Sequence, residues 1–148
     1  MQVFIIGTPL ETAQALDGAR LRKQIIEVQQ ILDALNGAKA WSNHPCVLQY
    51  KGHEYWLTAY MKCLCEYRKY RLHIDSLDHL GAAIIWDLYA MDLQPIFHKD
   101  LYYDQMKRRL YTKDPEHYKQ WAHLGESDCN WYFVDCSWRK YVNGKRVE

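Results

Sequence analysis

The residues of this chain best suited to chemistry lie on one predicted helix, residues 20–35, RLRKQIIEVQQILDAL. Leu21, Ile25, Val28, Leu32 and Leu35 recur every three or four positions, so at about 100° per residue they form one apolar stripe that faces a core. Arg20, Gln24 and Glu27 follow the same spacing along the edge of that stripe. A carboxylate there is neither in the core nor in open solvent. Held by Arg20 and Gln24, Glu27 could still face a groove. A solvated helix flank is the plain alternative for such a triplet, and the order of the segments that follow sets Glu27 apart from it.

The chain that must position this carboxylate has 148 residues, a length that predicts a single domain, 1–148, able to bury roughly 70% of the surface of its unfolded chain. With 25% charged and 49% apolar or aromatic residues, seven Gly and four Pro, the composition is globular, neither disordered nor collagen-like. Twelve Tyr and six Trp against three Phe favour rings with a polar tip, which suit half-exposed surfaces and base stacking as well as cores.

A net charge of +1 excludes a bulk polycation, so any DNA-binding face must come from local segregation of charge. Basic residues gather at Lys62, Arg68, Lys69 and Arg71, at Lys107, Arg108 and Arg109, and at Arg139, Lys140, Lys145 and Arg146. Acidic ones gather at Asp75, Asp78, Asp87 and Asp92, and at Asp114, Glu116, Glu126 and Asp128. Five cysteines, odd in number and without framework spacing, together with an N-terminus lacking a signal pattern, predict reduced thiols and a cytoplasmic protein. Cys63 and Cys65 point about 200° apart on a helix, so they are no redox pair or zinc half-site, and Cys63 reads as a small buried hydrophobe. No run has the roughly 20 apolar residues of a membrane span.

The coarse pattern is helical. After the apolar run 3–6, Thr8-Pro9-Leu10-Glu11 has the form of a capping box with Pro in the first turn. That short helix ends near Asp17, which caps the Glu27 helix, and the latter stops at Asn36-Gly37. Pro45 starts a helical turn to Tyr50, broken by Gly52; residues 53–70 form a second long helix with Trp56, Tyr60, Leu64 and Tyr67 on one face. Asp75 or Ser76 caps a third helix through Ala82, Ile85, Leu88 and Tyr89 to about Met91. Residues 95–111 read as loop and basic helical turn, 113–116 restart a short helix, and the tail from Ser127 is irregular. No segment alternates strongly for more than a few residues, so the fold class is mainly α.

Three stretches carry a resemblance: LDGARLRKQIIEVQQIL at 16–32, WSNHPCVLQYKGHEYWLTAY at 41–60 and RRLYTKDPEHY at 108–118. In this order they resemble small bacterial and phage proteins of the endonuclease V family, the pyrimidine-dimer DNA glycosylases. The resemblance implies a compact helical protein that bends duplex DNA, displaces a base, cleaves the glycosidic bond and breaks the strand by β-elimination through an imine. Glu27 aligns with the family's catalytic carboxylate. The family's nucleophile is an α-amine freed by loss of the initiator methionine, an amine with a useful neutral fraction near neutral pH. Gln2 is bulky enough to block that removal, which leaves the amine of Met1, or Lys23 one turn before Glu27, or no imine chemistry. Where the phage enzyme has a histidine and two arginines around its carboxylate, this chain has Arg20, Ile26 and Gln30, and Arg20 can still grip a phosphate.

The remaining candidates are His53, which matches a Gly-His step of the family, His44 within Asn43-His44-Pro45, the pair Arg108 and Arg109, and Trp138 in Trp138-Arg139-Lys140-Tyr141, which resembles an aromatic-basic tail directed at DNA. His44, Cys46 and His53 match no common ligand spacing, so no metal is expected, and no cofactor either. Two functions follow. One is a DNA glycosylase, with AP-lyase activity, acting on duplex DNA; the other is a non-catalytic relative that binds DNA or a nucleotide-like small molecule in the same pocket.

Overall fold

The computed structural model describes residues 1–73 and 77–147. Asp75 and Ser76, the expected caps of the third long helix, lie outside the described residues. The described chain is mainly helical: α1 (Pro9–Ala15), α2 (Gly18–Leu35), α3 (Pro45–Gln49), α4 (Glu54–Leu72), α5 (Leu77–Asp92), α6 (Asp100–Lys113), a 3₁₀ turn (Lys119–Leu124) and the strands β1 (Cys129–Val134), β2 (Ser137–Val142) and β3 (Lys145–Arg146). It divides into two compact units, Met1–Pro95 and Ile96–Glu148. No helix of the described residues is long and apolar enough to cross a membrane.

Local chemistry sets the ends of the first helices. Thr8 accepts from the Glu11 N–H at 3.1 Å while the Glu11 carboxylate accepts from the Thr8 N–H at 3.0 Å, so two otherwise orphaned donors are satisfied. Asp17 caps α2 through the Arg20 N–H at 3.3 Å. Gly37, at φ 106°, supplies the left-handed turn that ends α2. Thr8→Ala is expected to cost about 1 kcal/mol in urea unfolding; an unchanged midpoint would show that the cap is redundant.

Helix α1 is also held from outside at both ends. The Asp87 carboxylate of α5 accepts from the Leu10 N–H at 2.7 Å, and Arg71 of α4 donates to the Leu16 carbonyl at 2.8 Å. A carboxylate at the N-terminal end and a guanidinium at the C-terminal end both suit the helix dipole. These two charges, expected in surface clusters, thus hold the unit together.

In the first unit Leu21, Val28 and Ile31 of α2 pack in a core with Trp56, Leu57, Tyr60, Cys63 and Leu64 of α4, and Tyr50, Trp56 and Tyr60 form a continuous ring stack at 5.5 and 5.0 Å. Helix α5 buries Ala83 and Ala90, while Ile85 and Leu88 remain 67% and 64% exposed. Small side chains give the close approach to α4, which turns the branched ones outward.

The second unit corrects two expectations. Residues 100–113 make a full helix rather than a basic turn, and the short helix expected over 113–116 is instead the end of α6 followed by a turn, 115–118, that leads into the 3₁₀ stretch. The tail is not irregular but an antiparallel meander, β1-β2-β3. Its hairpins pair Val134 with Ser137 and Val142 with Lys145. Each has a two-residue loop with both residues at positive φ, Asp135 and Cys136 at 52° and 61°, Asn143 and Gly144 at 51° and 79°, the geometry that matches the twist of paired strands. Ser127 joins the sheet to α6: its N–H donates to Thr112 Oγ1 at 2.8 Å, and its hydroxyl accepts from Gln105 at 2.6 Å.

Candidate active site

The N-terminal segment, residues 1–6, is sewn between α2 and α3. The Gln2 N–H donates to Glu27 Oε2 at 3.4 Å and the Phe4 N–H donates to Gln24 Oε1. The intervening Val3 N–H donates to the Cys46 sulfur on α3. Successive amides thus point in opposite directions, as in a strand, but their acceptors are side chains of two helices. Gln24 returns a bond from Nε2 to the Gln2 carbonyl at 2.8 Å, and the Tyr60 hydroxyl shares its one proton between Gln24 Oε1 at 2.9 Å and the Phe4 carbonyl at 2.6 Å.

This geometry corrects the roles expected along α2. Gln24 does not flank a groove: it is 1% exposed and anchors the N-terminal segment. Its burial is tolerated because the segment and Tyr60 satisfy both ends of the carboxamide. Arg20 does not hold Glu27 in the expected way; its guanidinium pairs with Asp17 at 3.1 Å, one turn back. Glu27 is held instead by the Gln2 amide and by the Lys23 ammonium, 3.8 Å from Oε1. The Glu27 side chain is 17% exposed, against 72% for Lys23, so Lys23 is a surface counter-ion for a carboxylate that is mostly enclosed.

Helix α3 closes the other side. His44 is its N-cap and accepts the Cys46 N–H at Nδ1, 3.1 Å away. Burial holds the His44 ring below the ordinary imidazole value of 6.5, and the positive amine of the first residue pushes in the same direction. The neighbouring Cys46 thiol is pushed up to about 12, chiefly by burial, and feels both that amine and Glu27. It is therefore a buried thiol and no nucleophile near neutral pH. These couplings put the first amine, Glu27, His44 and Cys46 in one electrostatic neighbourhood. Sequence reasoning missed the contribution of Gln2 and Val3 through their backbone amides, because backbone donors leave no residue-type signal.

His53 sits at the start of α4 after Gly52, which has φ 88°. Its ring is also held below 6.5 by burial, opposed by the Glu54 carboxylate. A base whose folded value is depressed binds protons more readily in the unfolded chain, so its stabilising contribution is complete above 6.5 and is lost as pH falls through the folded value. Melting temperature is expected to drop between pH 7 and pH 5, with a shallower drop in His44→Asn; identical profiles for the two proteins would count against a neutral His44.

In the second unit Arg109 donates to the Ser127 carbonyl at 3.0 Å, and the Arg108 guanidinium lies 4.0 Å from where a Cβ on Gly125 would sit. Both arginines border the turn that leads into β1. Trp138 is 41% exposed and stacks on Tyr102 at 5.4 Å. With Leu101, Gln105 and Trp131 these rings line an open cavity of about 330 Å³, and Lys140 lies 5.9 Å over the Trp131 ring. Among the described residues, no three His, Cys, Asp or Glu side chains gather as a metal site.

No curated protein and no solved structure matches the chain. The model of one protein family, described as pyrimidine dimer DNA glycosylase, matches residues 1–78, the part that contains the N-terminal segment, Glu27, Lys23, His44 and His53. That match covers more than half of the 148 residues, and the chain therefore belongs to the pyrimidine dimer DNA glycosylase family.

Proposed function

We propose that this chain is a DNA glycosylase with AP-lyase activity on duplex DNA carrying pyrimidine dimers, with the amine of Met1 as nucleophile and Glu27 as the carboxylate that manages protons. The observation that carries this reading is the Gln2 N–H bond to Glu27 Oε2, which keeps the first amine one residue from an enclosed carboxylate. In the reaction the amine lone pair bonds sugar C1′ while the C1′–N bond to the base breaks and its electron pair leaves with the base. Glu27 takes one proton that the new ammonium sheds and delivers it to the departing base, and the ring opens to the imine as the remaining amine proton passes to O4′. Loss of a proton from C2′ then expels the 3′ phosphate, and water hydrolyses the imine to release the amine.

Arg20 at the start of α2, and Arg108, Arg109 and Trp138 in the second unit, are the proposed contacts to phosphates and an unstacked base. Lys23 balances the Glu27 charge, Gln24 positions the N-terminal segment, and His44 and His53 supply polar groups at the helix starts. Binding to duplex DNA is accordingly expected to weaken steeply with salt.

Borohydride trapping on a duplex with an abasic site tests this. The expected result is a covalent adduct that peptide mapping places on the Met1 peptide, with intact mass confirming that Met1 is retained. An adduct on the Lys23 peptide would reassign the nucleophile. No adduct, with DNA or nucleotide binding intact, would replace the enzyme by a binding protein.

A further inference from the structure

We propose that α5 is the interface of a symmetric dimer, with the outer face of this helix packed against the same face of a second copy of the chain. The dimer does not depend on the enzymatic activity proposed above. Helix α5 is amphipathic in an inverted sense. Its small residues Ala83 and Ala90 are the buried ones, while Leu77, Ile84, Ile85, Leu88, Tyr89 and Met91 are between 37% and 69% exposed. At about 100° per residue these six fall on one side of the helix, opposite the two alanines. Single exposed aliphatic side chains are ordinary, but a continuous face of them marks a binding surface.

A second copy fits this face in area. Taking about 200 Å² for each large side chain when fully exposed, the six leave on the order of 700 Å² open. Tyr55 of α4, 77% exposed, extends the face further. The largest apolar patch of a typical monomer is about 300–600 Å², whereas a stable interface buries about 800 Å² on each partner. The α5 face is thus the size of one half of a dimer.

Spacing and shape agree with that occupant. Leu77, Gly81, Ile84, Leu88 and Met91 succeed one another in steps of four, three, four and three, the repeat with which one helix seats against another. Beside the Ile84 and Leu88 ridge, Tyr55, Thr58 and Ala59 of α4 and Ile85, Trp86 and Tyr89 of α5 line an open cavity of about 390 Å³. A two-fold axis would seat the ridge of each copy in the groove of the other, so that one patch serves both partners.

Charge is confined to the rim. Asp78 and Asp92 stand in the first and last turns of α5, and the Lys62 ammonium of α4 lies 5.4 Å over the Trp86 ring. An apolar centre with a polar border is the anatomy of a protein interface. Each copy also offers a cation to the carboxylates of the other. Those carboxylates repel phosphates, which argues against nucleic acid as the occupant.

Sedimentation equilibrium of the full chain through the micromolar range tests the dimer. The parent is expected at twice the 17.7 kDa of the chain, with a melting temperature that rises with protein concentration. Leu88→Asp changes a side chain that is mostly exposed in one copy, so the monomer should fold and melt as the dilute parent does. In the dimer it would bury two carboxylates, because a symmetric interface counts each substitution twice, and the dissociation constant is expected to rise at least about 100-fold. Ile96→Asp, at an exposed apolar position outside α5, should leave the dimer intact. A parent that stays monomeric, with a melting temperature independent of concentration, would overturn the proposal. If Leu88→Asp also destabilises that monomer, the face is covered by its own chain instead. A Leu88→Asp protein as dimeric as the parent, or equal dissociation of both variants, would likewise remove α5 from the interface.

Discussion

Glu27→Gln is expected to lower strand cleavage at an abasic site by about 10²–10⁴-fold, the range spanned by loss of a positioned acid-base group. The change is nearly isosteric. The amide oxygen can still accept the Gln2 N–H, so the N-terminal segment stays docked, and only the Lys23 partner loses its counter-ion. That ion pair spans 3.8 Å and its lysine is 72% exposed, so its loss has little effect on stability. Affinity for duplex DNA should hold or rise, since a negative charge has left the surface proposed to meet phosphates. Rate and stability are therefore expected to separate. Single-turnover cleavage beside a melting curve is the check, and a variant within a few-fold of the parent would remove Glu27 from the chemistry.

The second large effect belongs to Gln24. Its carboxamide accepts from the Phe4 N–H and the Tyr60 hydroxyl and donates to the Gln2 carbonyl, in a position 1% exposed. Gln24→Ala strands an N–H and a carbonyl and leaves a cavity. At about 1–3 kcal/mol for each buried group left unpaired, a loss of about 3 kcal/mol in urea unfolding is expected. Tyr60→Phe should cost less, because it strands only the Phe4 carbonyl while Gln24 still satisfies the Phe4 N–H and the Gln2 carbonyl. Trapping yield should also fall in Gln24→Ala under conditions where the protein is folded, since the segment that carries the amine loses its anchor. A variant as stable as the parent, or one that traps normally, would mean that the N-terminal segment is held by its apolar contacts alone.

The contrast between Gln24 and Glu27 shows where the sequence is legible. Features set within one turn of chain could be read directly: the Thr8–Glu11 box, the Asp17 cap, the Asn36-Gly37 stop and the stripe of Leu21, Val28 and Leu32. Helical periodicity put Gln24 on a polar flank because it records only the helix itself. The groups that bury Gln24 come from positions 2, 4 and 60, and no local pattern encodes them. The same limit applies to Arg71 and Asp87, whose charges suggest surface clusters but which cap α1 across the fold. In the tail, Asn143-Gly144 was a hairpin signal in plain view. It was masked by a strand, CNWYFV, with rings on both faces and little alternation, and by an Asp135-Cys136 turn without glycine.

The way successive amides of residues 2–4 address α2, then α3, then α2 has a bearing on how this family can diversify. Substitutions in that segment leave the backbone donors in place, so they should be freely sampled. Insertion or deletion of a single residue would reverse every assignment at once, sending the amide meant for Glu27 toward the thiol of Cys46. Descendants of this chain should therefore vary in spelling here but not in length, and an added leader or tag should be far less welcome at the front of the protein than at its end.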